Sequence, residues 1–561
     1  MTETFYKKFI RANYLFGLAV MIIFVPHSKI MISLAQFWLA GTFVMDRYNT
    51  RRWLGFFREN PLWKCITVAL PLSVYLLFVS ILKGLRAFVK NRPAMVFSSI
   101  LLMHLFGVIY TSDFDYALKD MRTKLPLFLL PLFIATSPSL NRRYFYGYML
   151  LFAATVLVRT LINSWNLFGG QYVDIRDISK SISHILVALN ISLVLFILGY
   201  FILKRRTFPV GLKMLFGVVS AWMIVYLILS RSSTGLIISS LTLLTLVIIF
   251  LFRSRKLWLK ISLLTFLLLS TAFSGFYIFG MVKDYYKVNP VDFSKLEKMS
   301  PLGHPYLHSL VDRQTENGNY LYIYIQFDEL REAWSKRSSI PFDGRDKRNQ
   351  LIPNTLVRYL TSKGLRKDAG GMSQLSDTEI REIEKGTANV VFTWKFSIRG
   401  QVYEFLWGID EYRKSGDPTG SSLMQRFEFW KASAGIIKDN WLTGVGTGDM
   451  NEAFQQQYDK MKSKLAPDQR WRSHNQFLSV FVGFGVLGLI WFLFSILYPP
   501  LALGKFRDYF FLVFFIIVML SMIPEDTIES QLGVTFFALF YSLFLFGKKE
   551  EDKILRNNLV E

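Results

Sequence analysis

Thirteen apolar runs punctuate the chain, near 13–26, 29–46, 65–82, 94–111, 124–137, 143–163, 184–203, 208–229, 235–252, 258–280, 475–499, 508–523 and 529–546. Runs of this length suit helices that cross a hydrocarbon core of about 30 Å. In lipid each backbone N–H and C=O must find its partner inside the segment, so the pattern predicts an all-α polytopic membrane protein. Polar positions gather instead between 281 and 473. A connection of that length is far beyond ordinary loops and predicts a folded or functional subdomain. Within it, the aromatic patches at 320–327 and 390–396 suggest short strands or partly buried helices, and the hydrophilic stretch 336–385 reads as a mobile middle portion.

Basic residues set the orientation. Lys204-Arg205-Arg206, Arg253-Arg255-Lys256, Lys505-Arg507 and Lys548-Lys549 alternate with less basic turns, which puts them on the cytoplasmic side and the long insert outside. Arg47, Arg51, Arg52 and Arg58 call for the cytoplasm, and so do Lys83, Arg86, Lys90 and Arg92 across the run 65–82. A re-entrant or interfacial 65–82, interrupted at Pro71, resolves the conflict and leaves about twelve transmembrane helices with both termini inside. The first run lacks a small-residue cleavage site and reads as a retained span. The division is therefore N-terminal helices over 1–280, an external loop over 281–473, C-terminal helices over 474–546 and a cytoplasmic tail over 547–561.

The chain carries a net charge of +24, which in a soluble protein would raise nucleic acid as a partner. Its distribution argues against that. The insert holds 29 Lys and Arg against 25 Asp and Glu, and the remainder holds 36 against 16, so the excess marks topology. The single cysteine, Cys65, excludes an internal disulfide and a cysteine metal cluster.

The candidate chemistry lies at the outer ends of the helices. Arg231 follows an apolar run and precedes Ser232-Ser233-Thr234; it either snorkels to lipid headgroups or, with those hydroxyls at a helix N-terminus, clamps an anion such as a diphosphate. Arg426 opens a helical pattern carrying Phe427, Trp430, Ala434 and Ile437. GVGTGD follows, with Gly444, Gly446 and Gly448. No strand precedes it and no Lys-Ser or Lys-Thr follows, so it reads as a tight turn and not a nucleotide loop. His474 then meets the first turn of an apolar helix, flanked by Arg470, Arg472 and Asn475; imidazole is the side chain suited to take a hydroxyl proton near neutral pH. Asp113-Phe114-Asp115 has the Asp-X-Asp spacing of a metal-nucleotide site but reads better as a helix cap or loop ion pair. Glu525, Asp526 and Glu529 lack a histidine partner and form only a weak metal signal.

RSSTG after an apolar span, a large external insert, Arg426 with Trp430, GVGTGD and HNQFLSVFVGFGVLGLIWF together resemble the bacterial O-antigen ligase family and its polymerase relatives. The segments at 112–133 and 528–540 are also similar to family segments. The resemblance implies a C-type glycosyltransferase-like architecture in the bacterial inner membrane, with the active site facing the periplasm and no cofactor, nucleotide or metal. Carried over by motif, His474 is the general base and Arg231 and Arg426 bind the donor diphosphate. Lys124, within KLPLFLLP, and Arg176 or Lys180, in the loop before His184, match further basic positions. Asn475, Gly444, Gly446 and Gly448 support the site.

The implied reaction is transfer of a preassembled glycan from undecaprenyl diphosphate to a hydroxyl of lipid A-core oligosaccharide, with inversion. A polymerase, with a growing glycan as acceptor, and an O-linked oligosaccharyltransferase, with a protein hydroxyl, share that chemistry. A transporter of the lipid-linked glycan is the rival of another class; it would show inverted halves and mid-membrane charges, and the sequence carries no evident repeat. An envelope binding protein displaying the insert is a third reading, in which His474 would be dispensable. The expected partners are the lipid-linked donor, the lipid acceptor and membrane lipids.

Overall fold

The computed structural model describes residues 3–48, 56, 59–169, 182–204, 208–254, 256–394 and 397–548. The chain divides into two compact units, 1–250 with 426–561, and 251–425. The insert is therefore not one body, because residues 426–473 belong with the apolar helices and the helix before residue 287 belongs with the insert.

The first unit begins with α1 (Glu3–Phe24), α2 (Lys29–Arg47), α3 (Leu62–Val89), α4 (Arg92–Ile109), α5 (Phe114–Lys124) and α6 (Pro126–Thr136). It continues with α7 (Arg142–Phe168), α8 (His184–Lys204), α9 (Val210–Leu229) and α10 (Ser233–Arg253). Side-chain caps mark several starts: Ser28, Asn91, Asp113 and Asn141 each accept a backbone N–H from the first turn. Asp113 is thus a helix cap. Among the described residues, eight helices are long and apolar enough to cross a membrane, counting two introduced below, Leu257–Tyr286 and Gln476–Ala502.

Two features of the apolar runs bear on the expected spans. The run 65–82 is not interrupted at Pro71, which lies inside the unbroken 28-residue α3, and Pro71–Val89 is itself long enough to span. The runs at 124–137, 508–523 and 529–546 are shorter than spans. They form the 11-residue α6 and, later in the chain, α20 (Tyr509–Ser521) and α21 (Gln531–Ser542), which ends in a π turn over Leu543–Gly547. At 1.5 Å per residue α6 is roughly 17 Å long, well below the bilayer core. Apolarity here reflects burial in protein: every residue of α21 from Leu532 to Ser542 is buried. Its rings interlock with neighbouring helices, with Tyr541 stacked on Phe97 at 4.1 Å and Phe540 against Phe152 at 4.6 Å.

The second unit contains α11 (Leu257–Tyr286), β1 (Thr315–Glu316), β2 (Asn319–Tyr320), α12 (Phe327–Ser335), α13 (Ile352–Ser362), α14 (Ala369–Ser373), α15 (Asp377–Glu384) and α16 (Ile398–Ser415). The stretch 336–385 is packed, against the expectation of a mobile middle. Its Phe342, Ile352, Leu356, Tyr359, Leu360, Ile380 and Ile383 share one apolar core with Leu330 and Trp334. Its charges are mostly caps and pairs: Asp346 accepts from Thr355 at 2.6 Å, and Ser376 with Glu379 forms a capping box. Hydrophilic composition concealed a small core built from a few apolar residues.

The remaining first-unit helices are α17 (Ser422–Asp439), which carries the boundary between the units, α18 (Met450–Lys460) and α19 (Gln476–Ala502). Helix α19 is broken at Gly485, whose φ of 63° and ψ of −167° leave the helical region. The turn 441–447 fills the break. Val445 and Gly446 donate their N–H groups to the carbonyls of Val482 and Gly483 at 2.9 Å, and Val486 donates to the Trp441 carbonyl at 2.8 Å. Glycine is required on both sides. A Cβ on Gly485 would lie 2.1 Å from the Leu442 carbonyl oxygen, and one on Gly444, at φ 70°, would lie 2.4 Å from the Gly483 carbonyl carbon.

Gly485→Ala is expected to destabilise the folded protein by at least about 2 kcal/mol, since left-handed strain alone costs about 1–2 and the backbone contact adds to it. Gly199→Ala, where a Cβ meets nothing within 4 Å, is the control. Thermal unfolding in detergent reads the difference, and equal melting of the two variants would remove the wedge from the account.

In the insert, Lys367 is buried with its ammonium donating to the Tyr320 carbonyl at 3.1 Å, and burial pulls its pKa down to about 8 despite Asp368 beside it. The unfolded chain, titrating near 10.5, then holds more protons than the folded one between these values. Stability should therefore rise as pH climbs from 8 towards 10.5. Lys367→Met should flatten that slope in denaturant titrations.

Candidate functional site

The glycine turn fixes the site because it is held from two directions. Besides its bonds to α19, Thr447 donates its hydroxyl to the His104 carbonyl at 2.6 Å, and Gly448 donates its N–H to the Thr111 hydroxyl at 2.9 Å. Asp449 accepts backbone N–H groups from Ser112 and Asp113 at 2.9 and 2.8 Å. The Cβ of any residue at 448 would lie 2.0 Å from the Asp113 carbonyl oxygen. Helix α17 ends just before this anchor. Helix α18 and the linker to α19 begin just after it, so both carriers of candidate chemistry share one fixed point.

His474 sits where that linker enters α19. Asn475 caps the helix by accepting the Leu478 N–H at 3.0 Å. Ser473, fully buried, touches the Ser479 hydroxyl at 2.5 Å and donates to Asp526 at 3.3 Å. Between these anchors His474 is forced to φ 44°, a left-handed conformation that costs a non-glycine residue energy and persists only where its surroundings impose it. Arg231 shares this property, with φ 50° between α9 and α10.

The imidazole faces a carboxylate. His474 Nδ1 lies 3.2 Å from Glu525 Oε2, in the loop between α20 and α21. A carboxylate only accepts, so in the neutral imidazole this contact selects the tautomer with the hydrogen on Nδ1 and the lone pair on Nε2. Among the described residues Nε2 has no hydrogen-bond partner, and the side chain is 35% exposed. Phe429 stacks on the ring at 5.4 Å between centroids, holding its plane. Arg426, three residues before Phe429 and so on the same face of α17, donates from Nη2 to Glu525 Oε1 at 2.6 Å. One carboxylate thus bridges two of the residues that the sequence singled out, Arg426 and His474.

A layer of buried charges holds that loop. Lys124, with no exposed surface, pairs with Glu529 at 2.7 Å and donates to the Ile528 carbonyl at 2.6 Å. Glu529 also accepts from Gln476 at 2.8 Å and lies 3.5 Å from Arg472. Gln476 in turn accepts the Ile528 N–H at 2.8 Å and gives its own N–H to the Met522 carbonyl at 2.9 Å. Asp526 is raised above the usual carboxylate range by burial and by the Glu529 charge, and it takes a hydrogen bond from Ser479 at 2.9 Å. Further in, Asp120 lies 3.9 Å from Lys124 and 3.1 Å from His104 Nδ1.

The structure therefore gathers His474, Arg426, Asn475 and the glycine turn, and sets Lys124 beneath them already engaged with Glu529. Arg231 is exposed and makes no hydrogen bond or ion pair with its side chain among the described residues. Arg176 and Lys180 lie outside the described residues. Glu525 is the participant that the sequence placed in the wrong company, as one of a weak metal trio. Among the described residues no group of three or more His, Cys, Asp or Glu side chains is arranged to hold a metal ion. The signal that could have found Glu525 is its place between two apolar runs, where a carboxylate calls for a cationic partner.

Removing one member of a buried ion pair strands the other and costs about 3–5 kcal/mol. Lys124→Met should accordingly lower the melting temperature sharply. Asp526→Asn keeps the serine hydrogen bonds and removes repulsion from Glu529, so it should leave melting unchanged or raise it. Thermal unfolding of both variants checks the pair.

Residues 386–493 match the family model described as O-antigen ligase, and the match supports assignment of the chain to that family. The matched stretch contains Arg426, the glycine turn and His474, and ends before Glu525. No curated protein matches the chain.

Proposed function

We propose that this multi-pass membrane protein, with its O-antigen ligase segment, is a metal-independent, inverting glycosyltransferase that moves a preassembled glycan from undecaprenyl diphosphate to a hydroxyl of lipid A-core oligosaccharide. The observation that carries the reading is the His474–Glu525–Arg426 bridge with Nε2 of His474 left open. The reaction takes place on the periplasmic face of the inner membrane, with both termini cytoplasmic. This orientation rests on the basic loops.

The residue chemistry suits the reaction. An acceptor hydroxyl hydrogen-bonded to Nε2 gives up its proton as its oxygen attacks the anomeric carbon. The bond from that carbon to the diphosphate oxygen breaks, and its electron pair leaves with the diphosphate. A diphosphate is a competent leaving group, so the main demand is for fixed positive charge where negative charge develops. Arg426 offers a guanidinium next to the base, and Arg231, on an exposed and conformationally forced turn, offers a second with no side-chain partner among the described residues. Attack from the face opposite the diphosphate inverts the anomeric centre and needs no covalent enzyme intermediate. A growing glycan or a protein hydroxyl could stand in the acceptor position without changing these roles.

His474→Ala should reduce turnover by about 10²–10⁴, the usual worth of general-base catalysis, while folding is retained. Arg426→Lys and Arg231→Lys should raise the donor KM because the planar fork for phosphate oxygens is lost. The assay uses purified protein, lipid-linked donor and lipid acceptor with EDTA present. Wild-type turnover in the alanine variant would defeat the base assignment, and movement of donor with no new glycosidic bond would favour a transporter.

A further inference from the structure

Glu525 holds two partners that the proposed reaction asks to do different things. Its Oε1 accepts from Arg426 at 2.6 Å and its Oε2 faces His474 Nδ1 at 3.2 Å. Arg426 is assigned to a diphosphate, yet its charge is already answered by a carboxylate within the protein. A guanidinium prefers the more highly charged, bidentate oxygen pair of a phosphate group to a single carboxylate oxygen. Arrival of the donor therefore competes with Glu525 for Arg426.

We infer that Glu525 is a donor-sensing positioning residue: diphosphate displaces it from Arg426, and the released carboxylate turns its full charge to His474 and readies the base only when donor is in place. The inference rests on the reaction proposed above and adds to it an order, donor before activation of the acceptor hydroxyl.

Three features of the surroundings favour a carboxylate that changes partners over a fixed strut. The arginine bond is the short one and the imidazole bond the long one, so Glu525 is engaged more closely with Arg426 than with His474. Phe429 holds the ring plane independently of Glu525, so His474 stays in place during the exchange. The loop bearing Glu525 is tied down by its neighbours, through Asp526 to Ser479 and Glu529 to Lys124, so the side chain can rotate while the backbone does not. Among the described residues, the charged groups near the imidazole are Arg426 on α17, Arg472 two residues before it on its own linker, and Glu525 and Asp526 on the α20–α21 loop, with Glu529 of that loop against Arg472. Of these, Asp526 and Glu529 have other hydrogen-bond or ion-pair partners, and Glu525 alone is bonded to the ring.

A strut and a sensor respond oppositely to Glu525→Gln. Glutamine keeps the shape, but with one acceptor oxygen it can take a hydrogen bond from only one of the two neighbours, and it no longer neutralises Arg426. The variant should bind undecaprenyl diphosphate about tenfold more tightly while its kcat falls by roughly tenfold or more, because the base loses its counter-charge. In an Arg426→Ala background the same Gln change should leave donor affinity unaltered, closing the cycle. Affinity is read with undecaprenyl diphosphate in detergent and kcat with saturating donor and acceptor. Unchanged or weaker donor binding in the Gln variant overturns the inference, as does a variant that fails to fold, which would make the charge a structural necessity. If wild-type protein neither binds undecaprenyl diphosphate nor forms a glycosidic bond, the functional reading itself has failed, whatever the variants do.

Discussion

An interrupted helix inside an apolar bundle leaves carbonyl and N–H groups that neither lipid nor its own turns can satisfy. At Gly483–Gly485 those groups are answered by the backbone of the 441–447 turn, and the exchange is reciprocal, since Val486 also gives its N–H to Trp441. The bond set is short, and side chains are excluded from it on both strands of the contact. This fixes the spacing between α17 and α19 more tightly than ridge-and-groove packing would. Arg426 and Phe429 ride on one of these helices and His474 on the mouth of the other, so the distance across the site is set by main chain.

The charges below the site obey a related rule. Lys124, Glu529, Arg472, Asp526 and Asp120 lie where an isolated ion would be strongly penalised, and each is compensated by an opposite charge or by hydroxyl and amide donors. What such a cluster provides is register. Gln476 joins α19 to the α20–α21 loop at two points, and Lys124 pins the same loop to α5, which leaves Glu525 as the one acidic side chain of that loop turned towards Arg426 and His474.

Much of this was legible in the sequence, and the failures have physical causes. His474 and Arg426 could be singled out because a histidine at an apolar helix start and an arginine before a glycine turn are unusual on local grounds. The three glycines could be read as a turn, but not as a wedge, because its partner is a helix break forty residues on that hydropathy reports as a continuous span. The apolar runs that form α6, α20 and α21 looked like membrane crossings because composition registers burial without saying whether lipid or protein does the burying. Glu525 was obscured for a different reason: its meaning depends on two residues 51 and 99 positions away. The insert misled in the opposite sense, since a core built on Trp334, Tyr359 and a few aliphatic residues is too sparse to stand out from its charged surface.

The left-handed backbone at His474 narrows what this position can become. Glycine adopts φ near 44° freely, asparagine, aspartate and histidine do so more readily than other residues, and of these only histidine carries a ring nitrogen. Sequence drift at the site is thus steered towards the very residues that keep the architecture while silencing the chemistry. Exchange of His474 for glycine or asparagine is the change that suits the backbone while removing the imidazole.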